Sequence, residues 1–136
     1  MEKIKYRSGY KYQLAEQYLI QTKIFPEKRI KTQYIDLAEN GTLIIKKGYC
    51  WDGASGPAID TKNFMRGSLV HDAIYQLLRM ELINKSYKNE ADNLLREICR
   101  QDGMSWIRAW WVYRGVYRFG KSSTLSKNKK KILEAP

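Results

Sequence analysis

The chain has 136 residues, enough for one domain with its own core, and its 43% hydrophobic content excludes a disordered polypeptide. A net charge of +11 points either to plain solubility or to an anionic partner, whether nucleic acid, a phospholipid surface or an acidic protein. Two cysteines, Cys50 and Cys99, exclude a disulfide framework, and two reduced thiols are the expectation.

The charge is uneven along the chain. Residues 1–48 carry ten Lys and Arg against five Asp and Glu, residues 49–103 carry seven against eight, and residues 104–136 carry eight against one. The acidic residues therefore sit in a central segment flanked by basic ones. No stretch reaches the ~20 apolar residues of a membrane span. The start, MEKIKYRSGYKYQ, lacks the apolar core of a signal peptide, so a cytoplasmic location is expected.

Alternation over Tyr10, Tyr12 and Leu14, and again over Tyr18 and Ile20, predicts strands in the first twenty residues. Tyr34–Leu37 and Thr42–Ile45 flank Asn40-Gly41, which predicts a β-hairpin closed by a type I′ turn. The second arm leads through Lys46-Lys47-Gly48 to Tyr49-Cys50-Trp51. After a loop containing Gly and Pro the hydrophobic period changes. A helix is expected over Phe64–Arg79, capped by Thr61 or Asn63, with Leu69, Val70, Ala73, Ile74 and Leu77 as its apolar stripe. A second is expected from Tyr87 to Gln101, with Ser86 as its cap and Gly103 as its stop. A third is expected over Trp106–Phe119, between Ser105 and Gly120.

Strands followed by helices make the fold class α+β: an N-terminal β-hairpin region and then a three-helix unit. Residues 1–120 read as one domain, and residues 121–136, with Lys129, Lys130 and Lys131, as a basic and flexible tail.

The densest group of special residues lies between Trp51 and Asp92. There is one histidine, His71, so a His-rich zinc site is not available, and Cys50, Cys99 and His71 are poorly spaced for zinc. No glycine-rich phosphate loop with its Lys-Ser/Thr pair is present, so no nucleotide is expected. A serine nucleophile would have to come from Ser55 or Ser68, and neither stands in a nucleophile elbow.

What remains is His71 with carboxylates. His71 and Asp72 are neighbours on a helix, so their side chains diverge by about 100° and each needs a different partner. Asp72 can turn toward the loop holding Asp52 and the carbonyls of residues 51–56, an oxygen set that suits a hard cation such as Ca²⁺. For His71 the candidate partner is Asp92, a carboxylate at the edge of the second helix's apolar stripe that is costly to bury unpaired. Antiparallel packing across the Met80–Lys85 turn would bring the two together. Gly67 clears space one turn before His71, and Tyr75, one turn after it, can donate to the same carboxylate. Such a pair serves either as a general base with its orienting acid or as a buried tie between two helices.

The third helix divides on a helical wheel. Trp106, Ala109, Trp110, Tyr113 and Tyr117 fall on one arc, expected to face the core, with Val112, Val116 and Phe119 beside it. Arg108, Trp111, Arg114, Gly115 and Arg118 fall on the opposite arc. That arc, with the Lys129–Lys131 run, suits a phospholipid surface or nucleic acid.

Trp51-Asp52-Gly53-Ala54-Ser55, Pro57, Phe64, Ser68, His71-Asp72-x-x-Tyr75 and Ala91-Asp92 together resemble an uncharacterised family of small phage and prophage proteins. That core is in turn similar to the bacterial secreted phospholipases A2. The resemblance implies a phospholipase A2-like helical core in which His71 activates water, Asp92 orients it and Tyr75 supports the pair. It further implies that Asp52, Asp72 and the Gly53 carbonyl bind calcium. The expected function is hydrolysis of a lipid or other ester, in the host cytoplasm or the virion. The alternative is a non-enzymatic phage accessory or virion protein that binds an anionic partner through its basic face.

Overall fold

The computed structural model describes residues 3–4, 6–7, 12–53 and 61–119. Among the described residues seven short strands precede three helices, an α+β arrangement. The described residues group into two compact units, a strand unit within Ile4–Asp52 and a helical unit from Gly53 onward. The expected tail at residues 121–136, Tyr10, and the loop residues Ala54, Ser55 and Pro57 lie outside the described residues.

The strand unit holds two small antiparallel sheets. In the first, β2 (Tyr12–Leu14) lies between β1 (Tyr6–Arg7) and β7 (Cys50–Trp51). Tyr12 pairs with Trp51, their rings 5.5 Å apart. The second has the order β3 (Tyr18–Gln21), β6 (Thr42–Ile45), β5 (Ile35–Leu37), β4 (Ile30–Lys31). Its register explains its stability. Ile45 stands between Tyr18 and Ile35, and Leu43 between Ile20 and Leu37, so two apolar rows cross three strands on one face. A slip of one residue would turn Leu43 and Ile45 outward, which ties the register to the burial of that face.

The hairpin closes differently from the expected type I′ turn. Ala38 N–H donates to the Thr42 carbonyl and Gly41 N–H to the Ala38 carbonyl, so the loop is Glu39-Asn40-Gly41. Only Gly41 is left-handed, at φ 91°; Glu39 and Asn40 keep negative φ, whereas type I′ needs two left-handed residues. This is the three-residue loop with a glycine bulge. Asn40 contributes through its side chain instead, Oδ1 accepting from Thr42 N–H at 3.0 Å. The Gly41 carbonyl also accepts from the N–H and hydroxyl of Thr22, at 2.9 and 2.8 Å, which ties the turn to the chain leaving β3.

In the helical unit α1 (Lys62–Arg79) starts two residues before the expected Phe64. Thr61 holds the cap position, but its hydroxyl donates to Asn63 Oδ1 at 2.6 Å and caps no backbone N–H. The expected one-sided stripe is also too narrow. Arg66, Ser68, His71, Gln76 and Arg79 are buried along with the aliphatic residues, so α1 is buried nearly all round. The chain leaves α1 through Glu81 at φ 59°, with Glu81 N–H to Leu78 O and Leu82 N–H to Leu77 O, a Schellman ending with a glutamate where glycine is usual.

A single 3₁₀ turn, Lys85–Tyr87, leads into α2 (Lys88–Gln101). The capping side chain there is Asn84, which accepts from Ser86 N–H, rather than the expected Ser86. Gly103, at φ 97°, ends α2 as expected, with Met104 N–H returning to Cys99 O. Ser105 Oγ then accepts from Arg108 N–H at the start of α3 (Trp106–Phe119). Within this unit no described helix is long and apolar enough to cross a membrane.

Packing turns α3 part of the way from its expected orientation: Ala109 faces inward and Trp111 and Arg114 outward as expected, but the rest of the expected core arc does not. Ala109 is buried, and Val112 and Val116 are partly buried, against Phe64, Leu95, Cys99 and Met104. Trp106, Trp110 and Tyr117, placed on the core arc by the wheel, are exposed. Close approach to α2 favours the side of α3 with small and β-branched residues, because indoles there would hold the two backbones apart. Phe119's side chain is outside the described residues.

Replacing Gly41 tests the hairpin analysis. A Cβ there would clash with the Thr22 carbonyl and force a side chain into left-handed backbone. Gly41→Ala is expected to lower the unfolding free energy by roughly 1–3 kcal/mol, read from the denaturation midpoint.

Candidate functional site

The site is built where α1 and α2 pass each other. Arg66 meets Asp102, Gly67 approaches Leu95 and Cys99, and His71 meets Asp92, so positions rise along one helix as they fall along the other. The helices are antiparallel, as a short turn between them requires. Gly67 sets how closely they pass: a Cβ on it would lie 2.8 Å from Leu95 Cδ1, 3.1 Å from Cys99 Sγ and 3.3 Å from the Leu95 carbonyl. At the far end Arg66 forms a buried fork on Asp102, Nε to Oδ2 at 3.0 Å and a terminal N–H to Oδ1 at 2.9 Å. Nothing in a helical pattern pairs residues 36 positions apart, and this clamp has no local sequence signal.

Asp92 is fully buried, with 0% of its surface exposed. Its Oδ1 accepts from His71 Nε2 at 2.8 Å and from the Tyr75 hydroxyl at 2.6 Å. Its Oδ2 accepts from Lys88 Nζ at 2.6 Å. Burial alone would raise the carboxyl's pKa, but the bonds from His71, Lys88 and Tyr75 outweigh it and hold Asp92 below the usual carboxylate range. Asp92 is therefore ionised and can only accept. That assigns the His71 proton to Nε2 and leaves the lone pair of the neutral ring on Nδ1. Burial, followed by the bond to Asp92 and its charge, pushes the Tyr75 hydroxyl well above its ordinary pKa, so it stays protonated and acts as a fixed donor. The Tyr75 ring also lies against the imidazole, with centroids 4.0 Å apart, restricting its rotation.

Lys88 is the site residue that sequence reasoning missed. The signal was present, since Lys88 and Asp92 are four apart on one helix face. The same ammonium donates to the Tyr117 carbonyl at 3.3 Å and lies 5.1 Å from the centre of that ring. The C-terminal end of α3 is thereby tied to the carboxylate that holds His71.

Asp72 is half-buried on α1, turned away from Asp92 by the helical step. Gly53 opens the helical unit at φ 76°, and Asp52 is an exposed residue of the strand unit. Among the described residues no three His, Cys, Asp or Glu side chains stand together as a metal cluster. The oxygen donors of Asp72 and the Gly53 carbonyl suit calcium in kind. Cys99 is a buried free thiol that burial raises to about 12, which makes it a packing residue rather than a nucleophile; the Cys50 thiol donates to the Gly48 carbonyl at 3.5 Å. On α3, Arg108 is half-buried while Trp111 and Arg114 are exposed. The Arg118 side chain and Lys129, Lys130 and Lys131 lie outside the described residues.

Removing the acceptor should be severe. Asp92→Ala leaves Lys88 without its buried partner, and a loss of about 3–5 kcal/mol is expected in chemical denaturation. Because the folded-state pKa of Asp92 is lowered, its contribution is complete above about pH 4 and is lost as pH falls further. The wild type should therefore lose stability on acidification below that point, and Asp92→Asn should flatten this part of the profile.

Comparison with curated proteins and with solved structures gives no match. A family model described as a protein of unknown function, DUF1353, matches residues 29–116, a span that takes in the hairpin, all of α1 and α2, and α3 as far as Val116. The His71–Asp92 pair is thus carried on the part of the chain that this model recognises, and the protein belongs to the DUF1353 family.

Proposed function

We propose that the protein is an ester hydrolase whose general base is His71 Nδ1, with Asp92 as the orienting carboxylate and Tyr75 as its support. One observation carries this reading: a buried, ionised carboxylate 2.8 Å from His71 Nε2, which directs the ring's lone pair to the other nitrogen. The imidazole would take a proton from water as the water oxygen attacks the ester carbonyl. Asp92 would stabilise the imidazolium that forms, and the ring would return the proton to the departing alkoxide. Calcium, held within the helical unit by Asp72 and the Gly53 carbonyl, would polarise the carbonyl.

The order of the loop, the His-Asp-x-x-Tyr helix and the later helical Asp resembles the phospholipases A2, which makes a phospholipid or similar ester the substrate class. The same motif set favours a phage or prophage origin, with action in the host cytoplasm or the virion. The high positive charge fits a substrate presented on an anionic surface.

A second reading has its own support. His71 keeps only 9% of its side chain exposed, as expected of a tie between two helices in a non-enzymatic accessory or virion protein. His71→Gln separates the two, because an amide can still donate to Asp92 but cannot serve as a base. Release of fatty acid from phosphatidylglycerol vesicles at millimolar calcium is expected for the wild type. His71→Gln should reduce that rate by about 10²–10⁴-fold while the circular dichroism spectrum is unchanged. Absence of wild-type hydrolysis, with only a lower melting temperature in the variant, would establish the structural reading. Calcium at 100 times its dissociation constant should stabilise the fold by about 2.7 kcal/mol, visible as a rise in melting temperature. An unchanged melting temperature up to millimolar calcium would remove the cation from the mechanism.

A further inference from the structure

Helix α3 exposes its largest apolar side chains and buries its smaller ones. Its inner face is Ala109, Val112 and Val116. Its outer face has Trp106 66% exposed, Ile107 53%, Trp110 40% and Trp111 64%. At about 250 Å² per indole, the three tryptophans alone leave on the order of 400 Å² in contact with water. A patch of that size is about the largest that a typical monomer shows, and such patches are often functional.

The chemistry of the face narrows its occupant. Arg114 lies in the same arc, its guanidinium 5.4 Å from the centre of the Trp110 ring. Trp110 and Trp111 meet edge to face at 5.1 Å. The helix has Arg108, Arg114 and Arg118 and no acidic residue, and residues 121–136 add five lysines against one glutamate. A second copy packed through the same face would bring like charge from both copies, an Arg114 on each, to its seam. Nucleic acid would engage the arginines and stack on an indole, but it offers Ile107 no apolar surroundings. An anionic bilayer accommodates every part: indoles at headgroup depth, Ile107 at the acyl boundary, and basic groups against lipid phosphates. At about 1.5 Å per residue the helix is too short to span a bilayer and would lie in its plane.

We propose that the outer face of α3, formed by Trp106, Ile107, Trp110, Trp111 and Arg114, is an interfacial anchor for anionic phospholipid membranes. It deepens the reading of the His71 centre by naming the surface on which the ester is met, while binding itself requires no catalysis. Lys88 connects the two, since it holds Asp92 and also the carbonyl of Tyr117 at the end of α3.

The test uses the full chain and sucrose-loaded vesicles of phosphatidylglycerol and phosphatidylcholine, with chelator present so that calcium-dependent hydrolysis plays no part. The protein should sediment with anionic vesicles at low salt, show a blue shift of tryptophan emission, and bind pure phosphatidylcholine at least about tenfold more weakly. Trp106→Ser/Trp111→Ser removes the two most exposed indoles without touching the core, so its melting temperature should stay near the wild type. Its affinity for anionic vesicles should fall at least about tenfold. Three results would overturn the proposal: wild-type protein left in the supernatant, a double variant that binds as well as wild type, or loss in the variant of self-association or duplex DNA binding while vesicle binding persists. Failure here would leave hydrolysis at His71 to be judged by His71→Gln alone.

Discussion

Asp92 is a fully buried ion, and the packing of the helical unit is arranged to keep it charged. Three donors reach it, two from α1 and one from its own helix. Each donor restricts the structure in a different way. His71 and Tyr75 sit one turn apart on α1 and converge on a single oxygen, which sets the rotation of α1 about its axis. Lys88 takes the other oxygen and reaches the end of α3. The glycine at position 67 follows from the same demand, because bonds of 2.6–2.8 Å between side chains of neighbouring helices need close backbones, and Leu95 and Cys99 already fill the space a Cβ would take. The Arg66–Asp102 fork holds the opposite ends of the two helices, so the crossing is clamped beyond Gly67 as well as at the site.

This arrangement suits two roles at once, which is why geometry and function have to be separated by experiment. A carboxylate that orients an imidazole also joins two helices. The distinction lies in the other ring nitrogen, since a structural pair needs nothing from Nδ1 and a base needs it to meet water. A buried ion pair is in itself weak evidence for stability, as apolar residues of similar volume often serve as well. A histidine, a tyrosine and a lysine gathered on one buried aspartate form a more demanding solution than helix packing requires, and that demand is what supports the catalytic reading.

Helix α3 shows how a composition can be read correctly and an orientation only in part. Its tryptophans, tyrosines and arginines divide cleanly on a wheel, and large aromatics usually face inward. Here Ala109 is the buried residue and Trp106 the exposed one. A wheel states which residues share a face but not which face the neighbouring helix takes. That depends on the shape of α2, where Leu95 and Cys99 receive small side chains. The hairpin gives the same lesson on a smaller scale: Asn40-Gly41 marks the turn, while the Thr22 bonds to the Gly41 carbonyl accompany a three-residue loop rather than a two-residue one.

By itself the sequence determined the local elements. Change of hydrophobic period separates strands from helices, Gly103 ends α2, and the spacing of His71 and Tyr75 puts them on one face, because such signals act within a turn or two of backbone. It also identified Asp92 as a carboxylate in need of a partner, since an acid within an apolar stripe must be neutralised or paired. Only the tertiary structure decided that Asp92 takes Lys88 as well, that Arg66 closes on Asp102, that α1 is buried nearly all round, and that α3 turns its indoles outward. Those outcomes depend on which surfaces meet, and contacts between residues distant in sequence are set by packing, not by any pattern within one element.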